Sequence, residues 1–191
     1  MEKLENQKSL EEKSESSEIL QDIKLSDYEK SKEEMEEWLV GQDIPDVLWN
    51  RMKGVDPELT LNELLGKIKK ELFDIYGTKR DHAKSFADSR FTSLPEMIER
   101  GMVSCGALSN IFGNVLRKFE IPTKFIHGRY NHQTMEKEDR HSWLEIYNPL
   151  DRTWIKIDPT KNDFKVLSEA IRLKTYHDWQ ELHGDYDRRD F

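Results

Sequence analysis

The chain has 191 residues, 36% of them charged and 36% hydrophobic, a net charge of −8 and a single cysteine. That length suits one domain with a core of its own, and the negative balance excludes a basic nucleic-acid groove. No apolar run approaches the ~20 residues of a membrane span and the charged N-terminus shows no signal-peptide pattern, so a cytoplasmic protein without membrane attachment is expected.

The acidity is local. Residues 1–39 carry 13 acidic and 6 basic side chains, or −7, and the rest carries 25 against 24, or −1. Up to about residue 27 the chain is rich in Glu, Lys and Ser and has neither glycine nor an aromatic residue. Its apolar residues are too sparse to offset the entropy of ordering. Residues 1–30 are therefore expected to form an acidic arm, disordered or a frayed helix, whose first reading is a solvated tail and whose second is a docking segment for a protein partner.

Residues 31–77 read as a helical segment. Ser31 with Glu34 makes a capping-box pattern ahead of Met35, Trp38 and Leu39, and a short helix carrying Val47, Leu48 and Met52 follows Pro45. Thr60 with Glu63 starts a longer amphipathic helix, with Leu61, Leu64, Leu65, Ile68 and Leu72 at helical spacing up to Gly77. Residues 78–175 read as a core. Within it, Thr78 to Thr92 is polar and carries no clear signal, and Ser93, Pro95 and Glu96 begin a short helix that Gly101 ends.

Ser104 then caps a helix from Cys105 to about Phe119, whose stripe of Ala107, Leu108, Ile111, Phe112, Val115, Leu116 and Phe119 predicts central burial. Cys105 precedes that stripe and sits in the first turn. There, unpaired N–H groups and the helix dipole favour a thiolate and can hold an oxyanion, while Gly106 leaves the sulfur open to approach. One cysteine excludes an internal disulfide and a multi-cysteine zinc site.

After Pro122 the period becomes strand-like, over Thr123–Gly128, Ser142–Tyr147 and Thr153–Asp158, with Asn148, Pro149 and Asp151 turning the last two into an antiparallel hairpin. The expected class is α+β, helices packed on an antiparallel β-sheet. Leu167 to Leu173 reads as a further helix, and 176–191 as a charged tail. His141 heads one strand and Asp158 ends another, so the chain carries a thiol, an imidazole and a carboxylate in the order that thiol-dependent acyl transfer uses. His127, His132 and His141 lie close in sequence, but loop histidines are ordinarily solvated, and no metal site or cofactor is expected. The charged loop from Arg129 to Arg140 adjoins His141, a position from which loops admit substrate.

Three blocks, G-x-x-x-C-G leading to F-x-x-x-L-R and I-P, then H-x-W-x-E, then W-x-x-x-D-P-T, make the region from Ser93 to Phe164 resemble the transglutaminase-like superfamily, relatives of the papain-type thiol enzymes. The resemblance implies that fold, with Cys105 as nucleophile, His141 as general base and acid, and Asp158 orienting the imidazole. Trp143, Glu145 and Trp154 match positions that shape or pack the site. The chain departs from the family pattern at Glu120, where glycine is common, lacks the paired cysteines of the peptide N-glycanase branch, and shows no calcium loop. No side-chain oxyanion donor upstream of Cys105 is assigned. The implied function is a thiol enzyme acting on peptide or protein amides through a thioester. The triad does not choose the acceptor; hydrolysis is expected over amine cross-linking because a small, undecorated domain offers no obvious second-substrate site. The alternative is a catalytically idle member that uses the fold as a peptide-binding or scaffolding module.

Overall fold

The computed structural model describes residues 20–82, 92–130, 140–166 and 170–177. The first 19 residues of the acidic arm, the segment 83–91, the loop 131–139, residues 167–169 and the charged tail from 178 lie outside the described residues. Among the described residues, two 3-10 segments (Leu25–Lys30 and Glu33–Trp38) and four α-helices precede four strands: α1 (Asp46–Met52), α2 (Leu61–Tyr76), α3 (Leu94–Arg100), α4 (Cys105–Lys118), β1 (Thr123–Arg129), β2 (Arg140–Asn148), β3 (Thr153–Ile157) and β4 (Ile171–Tyr176). The strands form one antiparallel sheet in the order β3-β2-β1-β4. This is the expected α+β architecture. Among the described residues no helix is long and apolar enough to cross a membrane.

The helices begin and end where their caps place them. In α2, Thr60 accepts from the Glu63 N–H while Glu63 accepts from the Thr60 N–H, a reciprocal capping box. Ser93 and Ser104 each accept an N–H of their own first turn, from Glu96 and Ala107. Gly101 ends α3 in the left-handed conformation at φ 71°. The apolar stripe of α4 lies on the sheet, with Ile111, Phe112 and Val115 meeting Phe125, Leu144, Ile146 and Ile157 in one cluster. Glu120, at the turn out of α4, holds φ 60° and pairs with Lys32, so a side chain occupies a conformation that glycine takes without strain.

Four expectations need correction. The arm does not extend to residue 30: Leu20, Ile23 and Tyr28 are buried, and the Tyr28 hydroxyl donates to the Tyr147 carbonyl at 2.9 Å. These residues are sparse in sequence because they fill gaps in a surface built by distant elements. The Ser31–Glu34 capping box does not form; the Ser31 hydroxyl donates back to the Tyr28 carbonyl, and Glu33–Trp38 is a kinked 3-10 segment whose Glu34 reaches Arg152. The segment expected to be helical up to Leu173 enters β4 at Ile171, and Tyr176, assigned to the tail, pairs with Phe125. Finally, one cluster of buried side chains runs from Leu20 to Tyr176, so packing makes no division between residues 31–77 and 78–175.

His127 on β1 is buried, and burial, reinforced by Arg140, His141 and Arg129, depresses its pKa from 6.5 to about 4. A neutral native imidazole that titrates normally when unfolded contributes stability above pH 6.5 that is lost as pH falls towards 4. Between those pH values the native protein is expected to lose ~3 kcal/mol more than His127→Leu. Urea midpoints of the two proteins at about pH 7 and 4.5 measure the difference.

Candidate active site

Cys105 is delivered by a firmly attached lead-in. Asp81 donates its N–H to the Gly101 carbonyl at 2.9 Å and accepts the Val103 N–H at 3.0 Å, and the Tyr76 hydroxyl donates to the Met102 carbonyl at 3.0 Å. Arg100 closes the same turn with two bonds to the Asp81 carboxylate at 2.7 and 2.9 Å. The chain therefore enters α4 with little freedom, and the half-buried thiol stands at its first residue.

His141 is the second residue of β2, opposite Gly128 of β1. Its ring contacts the Cys105 thiol on one side and donates from Nε2 to Asp158 Oδ2 at 2.9 Å on the other. Asp158, wholly buried, follows the last residue of β3. Its Oδ1 accepts the Thr160 N–H at 2.9 Å and the Thr160 hydroxyl at 2.7 Å. The turn is tied further by the Asp158 N–H to the Phe164 carbonyl at 2.8 Å, and from α2 by Lys69, whose ammonium reaches the Lys161 carbonyl at 2.7 Å. The three side chains thus come from a helix end, a strand start and a strand end, separately anchored and brought into one chain of contacts.

The electrostatics follow from these contacts. Burial opposes ionisation of Cys105, but the hydrogen bond and charge of His141, with the Ser142 and Gly106 N–H groups, outweigh it and hold the thiol below its ordinary pKa. Burial likewise disfavours the His141 cation, and Asp158 and Cys105 reverse that, raising it to about 9. Asp158 is lowered despite burial, by His141, Tyr130 and Thr160. The two shifts, Cys105 downward and His141 upward, both favour a thiolate beside an imidazolium.

Gly106 is buried and its N–H contributes to the sulfur's surroundings. Trp143, two residues along β2 from His141, is fully buried behind the site. Trp154 is not brought to it: it pairs with Tyr147, six residues along β2 from His141 and so roughly 20 Å away, and packs edge-on to Tyr147 and Trp38 with the Lys124 ammonium 3.5 Å from its ring centre. Glu145 is 1% exposed and pairs with Arg172, tying β2 to β4 across β1 rather than entering the site. Among the described residues no group of three metal-ligating side chains occurs.

Two residues of the site escaped the sequence reading. The Thr160 oxygen and nitrogen lock one side of Asp158; its signal was present as the last residue of W-x-x-x-D-P-T. Tyr130, the residue after β1, donates its hydroxyl to Asp158 Oδ2 and tilts its ring over His141, centroids 4.0 Å apart. An aromatic residue ending a strand was its only local mark.

The sequence profile of the transglutaminase-like superfamily matches residues 62–159, just over half of the chain and the stretch containing all three side chains. The chain belongs to the transglutaminase-like superfamily. Within it, the chain is 22% identical over 97 residues to the peptide-N(4)-(N-acetyl-beta-glucosaminyl)asparagine amidase of Drosophila melanogaster, a match covering 51% of this chain and 13% of that one. A candidate cysteine protease from Cytophaga hutchinsonii superposes with a TM-score of 0.54 at 15% identity, over 78% of this chain and 48% of its own, which shows a shared fold. The periplasmic domain of TgpA from Pseudomonas aeruginosa, with a TM-score of 0.34 at 16% identity over 56% of this chain and 42% of its own, is more distant. The chain thus spans a small part of the amidase and about half of the protease.

Proposed function

We propose that this transglutaminase-like chain is a thiol enzyme acting on peptide or protein amides, with Cys105 as nucleophile. The observation that carries the reading is the continuous contact from the Cys105 thiol through His141 to the buried Asp158 carboxylate. The Cys105 thiolate attacks the carbonyl carbon of a carboxamide, and the resulting oxyanion meets the positive N-terminal end of α4. His141 gives its Nδ1 proton to the departing nitrogen, the C–N bond breaks, and a thioester remains. His141, now neutral, takes a proton from water as the water attacks the thioester; the acid product leaves and the thiolate–imidazolium pair is restored. Asp158 holds the imidazole by Nε2 throughout, so Nδ1 faces the sulfur. Water is favoured over an amine as acceptor because amide and peptide cleavage are the activities named for the amidase and the candidate protease.

The iodoacetamide alkylation rate of Cys105 across about pH 5–9 tests this reading, because the protein has one thiol. Labelling is expected to be fast already near pH 6, and His141→Ala to move the inflection towards the ordinary thiol value of about 8.5. An ordinary thiol profile in the native protein overturns the reading. A glutamine dipeptide, with ammonia release and hydroxylamine trapping as readouts, then separates hydrolysis from transfer. Hydrolysis is expected to decline as pH rises through about 9, where His141 loses the proton it must donate.

A further inference from the structure

We propose that Tyr130 is a positioning residue for this site, setting how strongly Asp158 holds the His141 imidazolium. The inference rests on the reading of Cys105, His141 and Asp158 given above. Asp158 Oδ1 is occupied by the two Thr160 donors, and Oδ2 receives both His141 Nε2–H and the Tyr130 hydroxyl. Four donors on one wholly buried carboxylate leave it no freedom to rotate and no oxygen for water. The two donors on Oδ2 also compete. Charge density drawn towards the phenol is unavailable to the imidazolium, so Tyr130 weakens a bond that would otherwise be the strongest in the site.

The ring has a second effect of opposite sign. At 4.0 Å between centroids and 31° between planes, it lies over one side of the imidazole and offers a π face to the cation. Tyr130 can do this because its own place is fixed. It follows the last strand pairs, Gly128 with His141 and Arg129 with Arg140, backs onto Trp143 with centroids 6.2 Å apart, and has the Lys161 ammonium 5.8 Å from its ring centre. Among the described residues, the charged or titratable groups around His141 are then Cys105 from α4, Asp158 after β3, Tyr130 and His127 from β1 and its end, Arg140 beside it on β2, and Lys161 beyond the phenol. Tyr130 touches both members of the His141–Asp158 bond. A hydroxyl that moderates this bond keeps the imidazolium acidic enough to release its proton to the leaving nitrogen, which a purely structural phenol does not do.

The test is histidine-selective carbon-13 NMR titration of His141, assigned with His141→Ala, in the native protein, Tyr130→Phe and Tyr130→Leu, alongside dipeptide hydrolysis. Tyr130→Phe keeps the ring and frees Oδ2, so the His141 pKa is expected to rise by about half a unit to one unit. Turnover is expected to fall about 3- to 10-fold because the acid is weaker. Tyr130→Leu removes the ring as well, and the pKa is expected to lie below that of Tyr130→Phe. If the His141 pKa is the same in the native protein and Tyr130→Phe, the proposal is wrong, while fast Cys105 alkylation near pH 6 would leave the reading of the site standing. If native Cys105 titrates as an ordinary thiol, the underlying reading fails and the positioning role fails with it. A thermal scan of each variant shows that the compared proteins are folded.

Discussion

Asp158→Asn is expected to lower amide turnover about 10³- to 10⁴-fold with the fold intact. The carboxylate makes four contacts of fixed polarity, and all four partners donate: the Thr160 N–H and hydroxyl to Oδ1, and His141 Nε2–H and the Tyr130 hydroxyl to Oδ2. An asparagine of the same shape has one oxygen. With its oxygen towards Thr160, its NH₂ faces the imidazole and turns Nε2 into an acceptor. The proton then sits on Nδ1, directed at the sulfur, and the ring cannot take the thiol's proton. With the amide flipped, the NH₂ faces the Thr160 N–H, which has no other polarity to offer. Either arrangement also removes the negative charge that raises His141 to about 9, so the alkylation inflection of Cys105 moves upward. Turnover and alkylation measured on the same preparation check both effects. A variant with native turnover would show that Asp158 does not orient His141, and an unmoved alkylation profile would separate the carboxylate from the thiol's activation.

The sequence carried the backbone of this arrangement because the relevant signals are local. Thr60, Ser93 and Ser104 mark helix starts through their own hydroxyls, and Gly101 marks a stop through its φ, so each is legible within a few residues. Cys105, His141 and Asp158 were legible for a different reason: each sits at the end of an element whose period is clear, and the structure brings those three ends together. What was lost depends on pairing between distant segments. In β4, Ile171 and Leu173 are 44% and 51% exposed, so that strand exists through backbone pairing with β1 and not through a buried apolar face of its own. Trp154 belongs to the motif that ends in Asp158, yet antiparallel pairing carries it towards Tyr147 and away from His141. Tyr130 meets a carboxylate 28 residues further on, a contact that no local periodicity encodes.

Two glycine-to-alanine changes are expected to move stability in opposite directions, and the larger effect falls beside the site. Gly66 lies within α2, and a Cβ there meets nothing within 4 Å, so Gly66→Ala gains helix propensity without a clash and stabilises by up to ~1 kcal/mol. Gly128 on β1 is different. A Cβ there would stand 2.2 Å from the Ile171 carbonyl oxygen and 2.3 Å from the Trp143 ring. The carbonyl belongs to β4 backbone, and Trp143 is wholly buried, so neither neighbour can step aside cheaply. Gly128→Ala must push β4 off the sheet or displace Trp143, at a cost of about 3 kcal/mol or more, which lowers Tm by roughly 6–12 °C. Trp143 backs the Tyr130 ring, and Gly128 pairs with His141, so the displacement reaches the imidazole. Cys105 alkylation at pH 6 is therefore expected to slow in Gly128→Ala even well below its Tm, and to be unchanged in Gly66→Ala. A Gly128→Ala protein with native Tm and native alkylation would mean that Trp143 and β4 are not fixed against β1, and the rigid support inferred behind Tyr130 would have to be given up.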